Sequence, residues 1–125
     1  PPTGTFATLN LCAQDDNYRT PAYRWSPIPD AAPAPPLAWL REQVDFITDQ
    51  RAAGHTLFVH CNAGRSRSVL VAAAYLMREH HLSASQALAM IRVRRPMAYP
   101  ISPFMTLLSE WERSPATSPH ERTSP

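Results

Sequence analysis

Lysine is absent from this 125-residue chain, cysteine occurs only twice and glycine three times. The 12 basic residues are therefore all arginine, and with 10 acidic residues the formal net charge is +2. That near-balance gives no sign of a nucleic-acid or membrane partner. Two cysteines, Cys12 and Cys61, are too few for a disulfide framework and fit a reducing compartment, so the expected location is cytoplasmic. No apolar run approaches the roughly 20 residues that span a bilayer, and no signal peptide is legible. The chain opens on Pro1-Pro2 without Met, which leaves a preceding targeting segment open. His60, Cys61 and Cys12 lack the paired spacing of a zinc site, so neither metal nor cofactor is expected. There is no internal repeat.

What is present suffices for one modest domain. Hydrophobic residues make up 44% of the chain, enough for a real core rather than a disordered chain. Phe6 to Leu11 has strand composition, and Tyr23-Arg24-Trp25 reads as a second strand. Cys12 to Asn17 between them reads as a loop. The prolines from Pro21 to Pro36 exclude a regular helix there. Leu37, Leu40, Val44 and Ile47 recur at helical spacing, with Gly54 past the end. Thr56 to His60 is a short apolar run of strand length. Val69 to Met77 is an apolar helix that should be buried. Ser83 and Gln86 have capping-box spacing and open a further helix, which Arg92, Arg94 and Arg95 close before Pro96. Ser102 reads as an N-cap with Pro103 at the first helical position. Phe104, Leu107, Leu108 and Trp111 then form a last apolar stripe. The expectation is an α/β fold, a central and mostly parallel sheet flanked by helices, over residues 1–113. Residues 114–125 read as a disordered polar tail.

The chemistry concentrates between the apolar strand and the apolar helix, in His60-Cys61-Asn62-Ala63-Gly64-Arg65-Ser66-Arg67-Ser68. A strand that ends in a short loop opening a helix gathers free backbone N–H groups and the positive end of the helix dipole. Gly64 lets that backbone turn tightly around a small anion. Cys61 placed there should have a lowered thiol pKa. Arg67 can fork two hydrogen bonds to a tetrahedral oxyanion, a geometry lysine cannot reproduce. Asn62, Ala63, Gly64, Arg65, Ser66 and Arg67 are thus the expected phosphate-binding cradle. Ser68 can hydrogen-bond the thiolate and ease its departure. His60 is expected to hydrogen-bond backbone and shape the loop rather than act as a base. A buried cysteine at a strand end is usually a small apolar side chain. Here His, Cys, Gly, Arg and Ser coincide at the required offsets, which favours a functional loop.

These residues resemble the His-Cys-x5-Arg-Ser/Thr signature of the protein tyrosine phosphatase superfamily, and its dual-specificity branch in particular. The likeness runs from about Leu9 to Trp111, through Ala74-Tyr75-Leu76-Met77 and Arg95-Pro96. It implies a sheet flanked by helices and phosphomonoester hydrolysis through a phosphocysteine intermediate, without a metal. It also implies a general acid on a loop about thirty residues ahead of the cysteine, a place that Asp30 occupies within Ser26-Pro27-Ile28-Pro29-Asp30. A carboxyl there would protonate the leaving oxygen and then activate water. Members of the family usually carry additional strands before the segment at Thr8, and these are not seen here. Ile101 and Leu107 stand where the family often has Asn and Gln.

The implied substrate is a phosphorylated protein, bearing phosphotyrosine, phosphoserine or phosphothreonine. Arg65 keeps a second class open. It adds charge inside the cradle, and Ala63 to Ser68 is similar to the mitochondrial phosphatidylglycerophosphate phosphatase. Asn10-Leu11-Cys12-Ala13 is similar to a strand of phosphoinositide 3-phosphatases. A phospholipid substrate is therefore the alternative, with a non-catalytic phosphate-binding module as a third reading. The same likeness implies that Cys12 could form a reversible disulfide with Cys61 under oxidation.

Overall fold

The computed structural model describes residues 1–62 and 64–115. The loop residue Ala63, and the expected tail from 116 onward, lie outside the described residues. Three strands, β1 (Ala7–Asn10), β2 (Ala22–Trp25) and β3 (Leu57–His60), form a wholly parallel sheet in the order β2-β1-β3. Thr8 pairs with Tyr23 and Phe58, and Asn10 with Trp25 and His60. Four helices follow or separate them: α1 (Leu37–Ala52), α2 (Arg67–His80), α3 (Ala84–Arg94) and α4 (Ser102–Arg113). The architecture is the expected α/β one.

Alternation along β1 and β3 assigns one sheet face to the core. Leu9 is fully buried, and Leu57 and Val59 pack against the same cluster. α2 lies at the centre of the helical layer and buries Val69, Leu70, Val71, Ala73, Ala74 and Met77. Each fully buried Leu or Val contributes about 1.5–3 kcal/mol over leaving it exposed. Polar anchors fix the packing angles. Trp111 of α4 donates its indole N–H to the Ala74 carbonyl at 3.0 Å. Arg78, buried on α2, reaches Asp45 at 2.9 Å and the Thr48 hydroxyl at 3.0 Å on α1.

The helix ends follow local chemistry with two displacements. The Ser83–Gln86 capping box forms reciprocally, at 3.1 Å and 2.9 Å. α4 starts one residue earlier than its sequence suggests: Ile101, not Ser102, is the N-cap. The Ile101 carbonyl takes the Phe104 and Met105 N–H groups, while its own N–H is held by the Ser66 hydroxyl. A tertiary contact thus overrides the local Ser-Pro signal. α2 likewise begins at Arg67 rather than Val69.

Candidate active site

β3 ends at His60 and α2 begins at Arg67, so the intervening loop bends from strand to helix around Cys61. Cys61 is half-buried. The Ser68 backbone N–H donates to its Sγ at 3.3 Å, and the Ser68 Oγ lies 3.3 Å from the same sulfur. Burial pushes the Cys61 thiol up. The hydrogen bonds from the Ser68 hydroxyl, the Ser68 N–H and the Gly64 N–H, with the nearby Arg67 charge, outweigh it and hold the thiol below its ordinary value. The thiolate fraction near neutral pH is correspondingly raised.

A pH-dependent reactivity follows, with a definite sign. Because the native thiol is depressed, alkylation of Cys61 by iodoacetamide should begin at lower pH than for the unfolded chain. Ser68→Ala removes one of the lowering bonds, so the midpoint of the alkylation–pH profile should move to higher pH. A midpoint unmoved by the substitution would exclude the Ser68 hydroxyl as a determinant of the thiol.

Arg67 is the first residue of α2 and is 9% exposed. Its Nη1 donates to the Ile28 carbonyl at 3.1 Å, which fixes the guanidinium and leaves the rest of its fork for an oxyanion. Gly64 has φ +63°, and a Cβ there would stand 2.6 Å from Nη1 of Arg95. A side chain at this position would be strained and would displace Arg95. The buried Ser66 hydroxyl accepts the Ile101 N–H at 3.0 Å. The loop is thus held from two sides, by the Pro-rich segment through Ile28 and by the α3–α4 connection through Ile101. Asn62 and Arg65 are exposed at its rim.

His60 departs from its expected role. Its ring bonds side chains rather than backbone: Nε2 lies 3.0 Å from Asp16 Oδ2, and Nδ1 lies 3.7 Å from Cys12 Sγ. The reason is the sheet register. Asn10 pairs with His60, so the turn after β1 returns Asp16 beside the imidazole. Asn10 itself shapes that turn, its side-chain oxygen accepting the Cys12 N–H at 2.8 Å. No local pattern signals a partner 44 residues away. Cys12 and Cys61 are both free thiols and line the same cavity of about 530 Å³, together with Asp15, Asp16 and His60. Burial pushes the Cys12 thiol up, partly offset by Arg67.

Asp30 lies two residues beyond Ile28 on the Pro-rich segment and is exposed. Its carboxylate makes no hydrogen bond or ion pair among the described residues. A second cavity of about 350 Å³ adjoins the loop and is lined by Cys61, Asn62, Gly64, Ser68, Ile91 and Arg95. Among the described residues no group of three or more His, Cys, Asp or Glu is arranged to hold a metal ion. The loop offers a lowered thiol with the Gly64 and Ser68 N–H groups directed at its sulfur, beside a fixed guanidinium, an arrangement suited to a nucleophile next to a tetrahedral oxyanion.

Residues 4–114 match the family model described as the dual specificity phosphatase catalytic domain. The chain is 35% identical over 119 residues to human dual specificity protein phosphatase 1, covering 94% of this chain and 32% of that protein. It is 37% identical over 90 residues to human dual specificity protein phosphatase 5, covering 72% of this chain and 23% of that one. The chain therefore spans a third or less of the length of these two curated relatives. Among solved structures it is similar to human DUSP28, with a TM-score of 0.81 and 29% identity over 97% of this chain and 82% of the other. It is similar to DUSP15 with a TM-score of 0.84 and 26% identity over 90% and 72% of the two chains.

Proposed function

The chain belongs to the dual specificity phosphatase catalytic-domain family, and from that premise we propose that it hydrolyses phosphomonoesters through a phosphocysteine at Cys61. The observation that carries this reading is the depressed Cys61 thiol, hydrogen-bonded to Ser68 beside the fixed guanidinium of Arg67. The phosphoryl oxygens occupy the loop N–H groups and the open part of the Arg67 fork. The Cys61 thiolate attacks phosphorus in line with the departing oxygen, which takes a proton from a carboxylic acid. Water then cleaves the S–P bond. The Ser68 hydroxyl donates to the sulfur as it leaves with its negative charge.

Asp30 is the proposed acid, and then the base for the attacking water. The support is its place on the segment that Arg67 grips through the Ile28 carbonyl. Asp30→Asn should slow alkyl phosphates, whose leaving groups need the proton, far more than para-nitrophenyl phosphate. Equal slowing of both would assign the acid to another group.

The proposed substrate is a phosphorylated protein, bearing phosphotyrosine, phosphoserine or phosphothreonine. The second reading is a phospholipid monoester, favoured by Arg65 exposed at the rim of the loop. A turnover panel separates them: phosphotyrosine and phosphothreonine peptides against a phosphoinositide and phosphatidylglycerophosphate. Faster turnover of the lipids would overturn the protein assignment.

A further inference from the structure

Exposed apolar side chains cluster on one segment of the surface. Seven large hydrophobic residues are exposed among the described residues, and four of them fall between Met90 and Tyr99: Met90 at 51%, Val93 at 82%, Met97 at 58% and Tyr99 at 62%. The same stretch carries Arg92, Arg94 and Arg95. From His80 to Ser109 the sequence has no Asp or Glu, and neither has the loop from Cys61 to Ser68. The near-neutral balance of the whole chain hides this local asymmetry.

The arginines and the apolar groups are interleaved. The Arg92 guanidinium lies 3.9 Å from the centre of the Tyr99 ring, and its Nε donates to the Ala98 carbonyl at 2.8 Å. Arg65, on the Cys61 loop, places Nη2 3.9 Å from Met97 Sδ. Arg95 lies against Gly64. The patch is therefore continuous with the rim of the candidate active site. Glu112 touches α3 at the opposite end of that helix, where its carboxylate accepts the Ala84 N–H.

We infer that the C-terminal end of α3 and the loop up to Tyr99 dock on the surface of an anionic lipid bilayer. Charge complementarity selects the occupant, since these arginines, which make no ion pair among the described residues, suit lipid phosphates and headgroup carboxylates. Val93 and Met97 supply the apolar insertion, and Tyr99 an amphipathic ring suited to the headgroup level. The shape argues against an acidic peptide. Peptides are held in grooves or along strand edges, whereas residues 93–97 are all exposed and neither cavity beside Cys61 is lined by Val93, Met97 or Tyr99. A soft planar surface meets such a patch without a groove. Docking there would turn the Cys61 loop toward the bilayer and leave Trp25, exposed on the edge strand β2, outside the contact.

Co-sedimentation of the whole chain with phosphatidylcholine vesicles, with and without phosphatidylserine, tests the inference. Neither lipid carries a phosphomonoester, so the outcome is independent of turnover at Cys61. The protein should pellet with the phosphatidylserine vesicles and remain in solution with phosphatidylcholine alone. Val93→Asp should weaken binding at least about tenfold, and Arg94→Glu by a similar factor, since each basic residue at an anionic surface is worth about fivefold and reversal doubles the change in charge. Both positions are exposed, and an unchanged circular dichroism spectrum confirms folding; either variant alone decides the point. Absence of binding to phosphatidylserine vesicles, equal binding to both lipids, or undiminished binding by the folded variants would overturn the proposal. Capture of polyglutamate without capture of vesicles would overturn it in favour of an acidic protein partner.

Discussion

Cys61→Ser should reduce turnover of para-nitrophenyl phosphate below about one part in ten thousand of the parent rate, the scale expected when a nucleophile is removed. Binding of phosphate or vanadate should persist. The two effects separate because different groups carry them. In the proposed mechanism backbone N–H groups and the Arg67 fork bind the anion, and the substitution removes neither. The proposed nucleophile is the thiol held down by Ser68, Gly64 and Arg67, and a serine hydroxyl in the same site stays protonated. Isothermal titration with vanadate beside steady-state turnover measures both. Normal turnover by the variant would remove Cys61 from the mechanism. Loss of anion binding with turnover would show that the loop had collapsed.

Arg67→Lys should lose both functions together. The Arg67 guanidinium donates to the Ile28 carbonyl at 3.1 Å, and in the proposed mechanism its remaining fork meets the oxyanion. An ammonium group cannot do both, because it lacks the planar spread of donors. Loss of one preorganised donor to a developing anion costs about a hundred- to a thousandfold in kcat. KM should rise as well, since the ground-state phosphate uses the same fork. The buried Ile28 carbonyl would also lose its partner, at about 1–3 kcal/mol, so a lowered thermal midpoint should accompany the kinetic loss. Unchanged KM with lowered kcat would mean that Arg67 meets only the transition state.

The parts of this molecule legible from sequence are those in which neighbours in the chain are neighbours in space. The Ser83–Gln86 box and the strand that leads into Cys61 are local, and each stands where its pattern puts it. What escaped detection is held across the chain. Asp16 looks like one more polar residue in a loop until the β1–β3 register brings it to His60. The Ile28 carbonyl has no signature at all, yet it positions Arg67. Ser102 looks like an N-cap, but the Ser66 hydroxyl holds the N–H of Ile101 and moves the cap by one residue. Arg95 reads as a charge at a helix end, whereas its guanidinium packs against Gly64, a position whose positive φ favours glycine. The basic and apolar character of Met90 to Tyr99 was visible as letters. Its exposure was not, because a helical pattern identifies which side chains face inward and leaves open how far the opposite face is covered.

The central claim is that phosphate passes through the sulfur of Cys61. Mixing the protein with para-nitrophenyl phosphate, quenching rapidly in denaturant and mapping the digest by mass spectrometry tests it most directly. The account predicts a transient phosphate on the peptide that contains Cys61, absent from the Cys61→Ser variant. Steady release of phosphate with the modification on another residue, or on none, would contradict it.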